Sequence, residues 1–160
     1  MFPFNVLPDT SKINELGHLS IGGCDIVALT QEFGTPLYVF DEFTLRNRCQ
    51  TFTQEFSQRH PNTTVAYASK AFMNPALAKI FAEEGLSLDV VSGGELAMSQ
   101  TIDFPNDRIY FHGNNKSREE LTQAVNSKVG RIVIDSFHEI TLLENITSNA
   151  QTTQDVLIRV

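Results

Sequence analysis

Four titratable side chains stand at or near the ends of successive apolar runs in this sequence. Lys70 ends "TVAYASK", Asp89 lies in "LSLDVVS", and His112 and Asp135 follow "RIYF" and "RIVI". If these runs are parallel strands, all four lie toward the carboxyl edge of the sheet, where α/β folds build active sites. A lysine amine can attack a carbonyl carbon, and carboxylates and imidazoles can bind or transfer protons. The pattern therefore predicts covalent or acid–base chemistry at that edge.

Lys70 and Asp89 carry the strongest signal. Side chains alternate between faces along a strand, so Lys70 shares its face with Ala66 and Ala68, which leave room beside its stem. Asp89, set among leucines and valines, needs a cationic or hydrogen-bonded partner. Spacing leaves two interpretations equally open: an uncharged, nucleophilic Lys70 amine, or a structural Lys70–Asp89 ion pair.

The other candidates have stronger structural alternatives. Asp135 is more readily explained as a helper in capping a helix that starts at Ser136. His112 is as well explained by a satisfied histidine at the rim of the sheet as by a functional one. The pair Gly93-Gly94 is weak support for a phosphate site, because it also suits a plain turn into a helix.

The order of elements predicts a parallel sheet with crossover helices. From residue 61 onward, apolar runs alternate with helical patterns that carry good start signals. The runs cover residues 64–70, 86–92, 108–113, 131–136 and 155–160. The start signals are Asn74 with Pro75, and capping boxes of Ser117 with Glu120 and of Ser136 with Glu139. An earlier amphipathic helix is predicted from the spacing of Leu45, Cys49, Phe52 and Phe56.

Two α/β architectures fit this order. One is a complete, doubly wound domain of five strands. The other is about strands one to five of a (β/α)8 barrel, which needs about 250 residues, so that the chain would be truncated. Residues 1–36 are turn-rich and are predicted to form an N-terminal segment that packs on something else, leaving 37–160 as the sheet-forming part.

Composition excludes several functional classes. The 160 residues include 12 Lys and Arg against 19 Asp and Glu, a net charge of −7, which disfavours nucleic-acid binding. Cys24 and Cys49 lack metal-ligand spacing, so no metal site and two reduced thiols are expected. The sequence shows neither a signal-peptide pattern nor an apolar run long enough for a membrane span. A cytoplasmic protein without a membrane partner is predicted.

Four segments, in their order and spacing, resemble the N-terminal half of the diaminopimelate decarboxylases. These enzymes belong to the alanine-racemase-like (fold type III) class of pyridoxal-phosphate enzymes. The segments are "YASKAF", "EEGLSLDVVSGGEL", "RIYFHGNNKS" and "GRIVIDSFHEI". The likeness runs from about Gly34 to Val160, and "FHGNNKS" points to this family rather than to ornithine or arginine decarboxylases. The resemblance as a whole implies a partial barrel, with residues 1–36 packed on a β-domain.

The resemblance also implies roles for single residues. Lys70 matches the lysine that holds pyridoxal 5′-phosphate covalently and takes part in catalysis. Asp89 and His112 match cofactor-binding positions close to that lysine. Glu95 and Asn114 match positions that line the site.

The implied reaction removes CO2 from one end of meso-2,6-diaminopimelate to give L-lysine, the final step of lysine biosynthesis, in a homodimer. The family's remaining cofactor ligands and its β-domain cysteine are expected beyond Val160, so the 160-residue piece alone is predicted to be inactive. The alternatives are a related decarboxylase of ornithine or arginine type, a non-catalytic pyridoxal-phosphate-binding homologue, and a flavodoxin-like binding domain.

One departure from the family pattern concerns the backbone. Where many relatives have Ala-Gly before the third strand, this chain has Ile102-Asp103. The usual glycine is expected to have a positive φ, which Asp tolerates better than most residues. The departure therefore bears on local stability and not on the chemistry.

Overall fold

The structure is a computed structural model that describes residues 6–160. The chain divides into two compact units, Met1–Glu55 and Phe56–Val160. The N-terminal unit holds a three-stranded antiparallel sheet, a first helix and most of a second. Its elements are β1 (Lys12–Ile13), β2 (Leu19–Ile21), β3 (Cys24–Asp25), α1 (Ile26–Phe33) and α2 (Glu42–Ser57).

Asp25 organises the sheet and helix of this unit. Its carboxylate caps α1 by accepting hydrogen bonds from the amides of Val27 and Ala28. The same carboxylate binds His18 Nδ1 at 2.9 Å and Asn14 Nδ2 at 2.7 Å. The hydrogen bond to His18 is the main cause that lowers the pKa of Asp25 to about 2. The segment is thus a folded β-rich element, unlike the parallel sheet that follows it.

The C-terminal unit is built on a parallel sheet of five strands. The strands are β4 (Ala66–Ala68), β5 (Ser87–Val90), β6 (Ile109–Phe111), β7 (Arg131–Ile134) and β8 (Val156–Ile158). The crossover helices are α3 (Pro75–Glu83), α4 (Gly93–Gln100), α5 (Arg118–Asn126) and α6 (Phe137–Asn149), and a 3₁₀ turn (Asn106–Arg108) precedes β6. All five predicted strands are confirmed, each shorter than its apolar run.

Strand order distinguishes the two predicted architectures. The spatial order is β4-β5-β6-β7-β8, so every strand pairs with its neighbours in sequence. A doubly wound domain reverses its strand order at a switch point, whereas a (β/α)8 barrel adds its strands consecutively. The partial barrel is therefore confirmed, and the doubly wound, flavodoxin-like alternative is wrong.

The two faces of the parallel sheet differ in character. The face under the helices forms the core of the unit, and its side chains are almost fully buried. They are Leu88, Val90, Ile109, Phe111, Ile132 and Ile134. The opposite face carries polar side chains, among them Asp89 and His112, which are only partly buried. Alternation along the strands thus places the chemistry on one face and the packing on the other.

Serine caps start the last three helices, α4 to α6, but the two predicted capping boxes differ in detail. Ser117 and Glu120 form the complete box at the start of α5. At α6, Ser136 accepts a hydrogen bond from the amide of Glu139, whereas the Glu139 side chain bonds the amide of Asp135. Only half of the second predicted box is present, because the Glu139 side chain accepts from the amide of Asp135 instead of the amide of Ser136.

The predicted amphipathic face of α2 is only partly buried. Cys49 is buried, but Phe52 and Phe56 are 56% and 50% exposed. Cys24 and Cys49 are both free thiols. Within residues 6–160, no helix has the length and apolar character needed to cross a bilayer.

Asp103 has a φ of +52°, in the left-handed region that glycine adopts more readily. The left-handed region is strained for residues with a Cβ, so Asp103→Gly in the complete protein should increase the free energy of unfolding by about 0.5–1 kcal/mol. Urea unfolding measures the change. Gly85→Ala is the control in the opposite direction, because it adds a Cβ at a positive φ instead of removing one. Gly85 has φ +79° and no atom within 4 Å of an added Cβ, so backbone strain alone should lower the free energy of unfolding. An unchanged or lower stability of Asp103→Gly would contradict the prediction.

Candidate active site

Lys70 lies in the turn that follows β4, at the carboxyl edge of the parallel sheet. The turn is fixed by backbone hydrogen bonds from Ser69 N to Asp89 O at 2.9 Å and from Ala71 N to Ala68 O at 3.1 Å. Lys70 itself is exposed. This strand end is more open than its sequence predicts, because β4 stops at Ala68 and is an edge strand of the sheet.

Tyr67 anchors the Lys70 turn from the opposite face. Its ring stacks on Phe81 of α3, with ring centres 4.1 Å apart. Its hydroxyl donates a hydrogen bond of 2.7 Å to the carbonyl of Phe72, beyond the turn. Burial raises the pKa of Tyr67, so the hydroxyl keeps its proton and remains a donor at neutral pH. The position of Lys70 is therefore set by packing on the helix side as well as by the backbone.

Asp89 is paired with a histidine rather than with the lysine. Its Oδ1 lies 3.6 Å from Nδ1 of His112, and both side chains are about one-third exposed or less, at 28% and 34%. Among residues 6–160, Lys70 forms no hydrogen bond or ion pair, so the alternative of a structural Lys70–Asp89 pair is wrong for this structure. Asp89 and His112 are brought together, and the Lys70 amine is left available.

An open cavity of 320 Å³ adjoins this pair on the polar face of the sheet. It is lined by Thr64, Ala66, Asp89, Tyr110, His112 and Val133. Tyr110 is held in place by Arg131, whose guanidinium donates a hydrogen bond of 3.2 Å to the phenol oxygen. The cavity is thus walled by small, aromatic and titratable side chains.

The donor set at this edge fits an aldehyde cofactor. An aldehyde binds covalently to a primary amine, and Lys70 offers one with no partner in the described part of the chain. Ala66 and Ala68 fill little of the space on the Lys70 side of β4. Asp89 and His112 supply a carboxylate and an imidazole for the polar groups of such a ligand. Together these features suit a flat, polar, amine-linked group.

The remaining predicted residues, Glu95, Asn114 and Asp135, lie in the described part of the chain and form no hydrogen bond or ion pair with Asp89 or His112. Glu95 Oε2 accepts a hydrogen bond of 2.9 Å from the amide of Val91, so this oxygen serves the local backbone. Asn114 is exposed in the turn after β6. Asp135 binds Arg159 at 2.9 Å, while Ser136 caps α6, so the prediction that the Asp135 carboxylate helps the cap is wrong. Roles of Glu95 and Asn114 in the site stay predictions.

A buried ion pair beside the site was missed by the reasoning from sequence. Lys116 Nζ lies 2.6 Å from Glu139 Oε1, and the two side chains are only 1% and 6% exposed. Lys116 stands in the segment "FHGNNKS" and Glu139 at a helix start. The sequence gives little sign that these two residues are buried together, because a lysine in a polar loop and a glutamate in the first turn of a helix are usually solvated.

Comparison with known proteins adds the family context. Residues 43–160 match the family described as "Pyridoxal-dependent decarboxylase, pyridoxal binding domain". The chain is 50% identical to diaminopimelate decarboxylase of Bacillus subtilis over 96% of its own length and 35% of the relative. It is 46% identical to the Mycobacterium tuberculosis enzyme of that name, over 97% of this chain and 34% of the relative. The chain therefore spans about a third of the length of these curated relatives.

Two solved structures have a similar fold to this chain. The diaminopimelate decarboxylase of M. jannaschii in complex with L-lysine superimposes with a TM-score of 0.85 at 32% identity, over 94% of this chain and 36% of that one. The structure from Aquifex aeolicus superimposes with a TM-score of 0.82 at 33% identity, over 94% and 36% of the two chains.

Proposed function

The chain belongs to the pyridoxal-dependent decarboxylase family, and from this premise we propose that the complete protein is a diaminopimelate decarboxylase that uses pyridoxal 5′-phosphate. Its reaction would release CO2 from one end of meso-2,6-diaminopimelate and leave L-lysine. The observation that carries the proposal is Lys70, an amine without a partner in residues 6–160, in the turn after β4 at the carboxyl edge to which β5 and β6 bring Asp89 and His112. Close relatives bearing this name support the substrate.

Lys70 is the residue that holds the cofactor, through Nζ. Amines suit this role because they add to an aldehyde and also leave it again when a substrate amine takes their place. The amine of Lys70 would also be able to accept or return a proton beside the substrate carbon that loses CO2. When bound, pyridoxal phosphate supplies an electron sink for the electron pair left by that departure.

Asp89 and His112 orient the bound group from the strand side. Their carboxylate and imidazole lie 3.6 Å apart, so the pair offers a carboxylate oxygen and a ring nitrogen to the polar groups of a ligand. Tyr110, whose phenol oxygen accepts a hydrogen bond from Arg131, lines the same cavity. Glu95 and Asn114 are proposed to line the site without contacting the reacting carbon.

Assembly and organisation are also proposals for the complete protein. Residues 1–36 would pack with a β-domain, and 37–160 would form the first part of the barrel. The antiparallel strands β1 to β3 support this division, since they belong to a sheet separate from the parallel one. We infer a cytoplasmic homodimer, for which sedimentation of the complete protein is the measurement.

A substrate panel tests the proposed reaction. The complete protein loaded with pyridoxal phosphate should release CO2 from meso-2,6-diaminopimelate and form L-lysine. Its kcat/KM should exceed that for L-ornithine, L-arginine or L-lysine by a factor of about 100 or more, since a site built to bind the substrate's second carboxylate rejects analogues that lack it. The isolated 160-residue chain should release none.

Two results would count against the proposal. A preference for ornithine or arginine would assign the protein to a related decarboxylase. Tight binding of pyridoxal phosphate without CO2 release from any of the four amino acids would assign a non-catalytic binding role.

A further inference from the structure

Lys116 is buried more deeply than its charge permits without special contacts. Its side chain is 1% exposed, and Nζ makes three polar contacts. These are with Glu139 Oε1 at 2.6 Å, the carbonyl of Gly113 at 2.6 Å and the carbonyl of Val133 at 2.7 Å. The two carbonyl contacts are hydrogen bonds, whereas the contact with Glu139 is an ion pair, and Glu139 Oε1 has no hydrogen-bond partner among the described residues.

The contacts of this ammonium connect three separate segments. Gly113 belongs to the turn after β6, Val133 to β7, and Glu139 to the first turn of α6. The second oxygen of Glu139 accepts a hydrogen bond of 2.9 Å from the amide of Asp135, at the end of β7. The pair therefore fastens the turn after β6 to the carboxyl end of the next strand.

The fastened turn begins with His112. The amide of His112 donates to the carbonyl of Val90 at 2.8 Å, which fixes where the turn leaves the sheet. Gly113 has φ +107°, and a Cβ there would lie 3.2 Å from the carbonyl of Val91. The backbone of this turn thus lies close to Val91, just after β5, on one side, and on the other side Lys116 links it to Val133 of β7. His112, between these two restraints, faces Asp89.

A buried ion pair is a costly way to obtain stability alone. The loss of hydration of two charges commonly offsets their attraction, and apolar side chains of similar volume often stabilise a protein equally well. What apolar side chains cannot supply is a directed link to two carbonyls and a carboxylate at once. The pair therefore contributes a defined position of the turn after β6, rather than net stability.

We propose that Lys116 and Glu139 are a positioning pair for the active site. They hold the turn of residues 112–116 at the carboxyl edge and so keep His112 aligned with Asp89 and the cofactor. The inference rests on the proposed function for its catalytic consequence, although the restraint on the turn does not depend on it. Neither residue contacts the reacting atoms.

A pair of variants in the complete protein separates positioning from stability. Lys116→Met leaves Glu139 buried without a partner, so it should lower both the unfolding midpoint and kcat. The double variant Lys116→Met/Glu139→Leu removes both charges and should recover the unfolding midpoint. Its kcat should nevertheless stay lower by a factor of about 10 to 100, because small misplacements of a catalytic group cost rates of this order. KM should change far less than kcat.

Hydrogen exchange of the cofactor-free protein provides a readout that does not depend on activity. The amides of residues 112–116 should exchange about ten times faster in the double variant, while those of α4 stay at their wild-type rates. Arg48→Met is the matched control, since it also removes one cation from an ion pair, with Asp9, but at a side chain that is 62% exposed. It should leave exchange and kcat unchanged.

The outcomes are distinguishable. A folded double variant with wild-type exchange at residues 112–116 and wild-type kcat overturns the proposal. If the wild-type protein releases no CO2, the proposed function fails, and the exchange measurement still decides whether the pair holds the turn. If the double variant does not fold, Lys116→Met measured well below its unfolding midpoint takes its place, with α4 protection as proof of folding. Wild-type exchange in that variant overturns the proposal as well.

Discussion

Lys70→Ala in the complete protein is expected to lower kcat for CO2 release by about a thousandfold or more, because it removes the amine that holds the cofactor and exchanges with the substrate. Lys70 is exposed, and among residues 6–160 it has no hydrogen-bond or ion-pair partner whose loss would disturb the fold. The change in the free energy of unfolding should therefore stay within about 0.5 kcal/mol. A large loss of activity with no loss of stability is what a chemical role requires.

Lys79→Ala is the matched control for this variant. Lys79 is also exposed and lies on α3, so its loss removes the same charge without touching the strand edge. Borohydride reduction of the loaded wild-type protein should attach the cofactor to the peptide that contains Lys70, as found by mass spectrometry. Labelling of another lysine, or full turnover by Lys70→Ala, would remove the basis of the proposed function.

The elements of the C-terminal unit could be predicted from sequence because local signals were strong. Apolar runs marked every strand, and Asn74 with Pro75 marked the start of α3. What local signals could not give was the order of the strands in space. Both architectures contain the same alternation, and the pairing that separates them is that of β5 with β6, because a flavodoxin-like order would pair β4 with β6 instead.

The site was predicted through the positions of its residues but not through their partners. The ends of β4, β5 and β6 placed Lys70, Asp89 and His112 at one edge. The partner of Asp89 depends on side-chain geometry across neighbouring strands: the imidazole of His112 lies 3.6 Å away, and Lys70 forms no ion pair with Asp89. A pattern along the chain carries no information about such a choice.

The glutamates at the third position of successive helices show the same limit. Each reads as an N-terminal signal in sequence, and each accepts a hydrogen bond from a backbone amide before its own helix. Their further partners differ: Glu120 also bonds the amide of Gly93 across helices, and Glu139 also binds Lys116. Local chemistry predicts a carboxylate near a helix start, whereas tertiary structure decides which donor it meets.

Gly130→Ala is expected to cause the largest loss of stability among the substitutions considered for this chain. A Cβ at Gly130 would lie 2.0 Å from the carbonyl oxygen and 2.8 Å from the carbonyl carbon of Asp107. The glycine amide also donates a hydrogen bond of 2.7 Å to Asn106, so β7 starts in close contact with the 3₁₀ turn before β6. Backbone atoms cannot rotate away as a side chain can. The cost should reach about 3 kcal/mol or more, at or above the usual range for overpacking.

Gly94→Ala is the control that isolates the steric cause. Gly94 lies in α4, and a Cβ there would meet only the hydroxyl of Ser92, at 3.8 Å. Because alanine favours the helix over glycine, this variant should be more stable by about 0.5–1 kcal/mol. Urea unfolding of the complete protein, followed by circular dichroism, compares the two. Equal midpoints for Gly130→Ala and the wild type would mean that the start of β7 can move away from the 3₁₀ turn, and that the register of β6 and β7 is held by the strands alone.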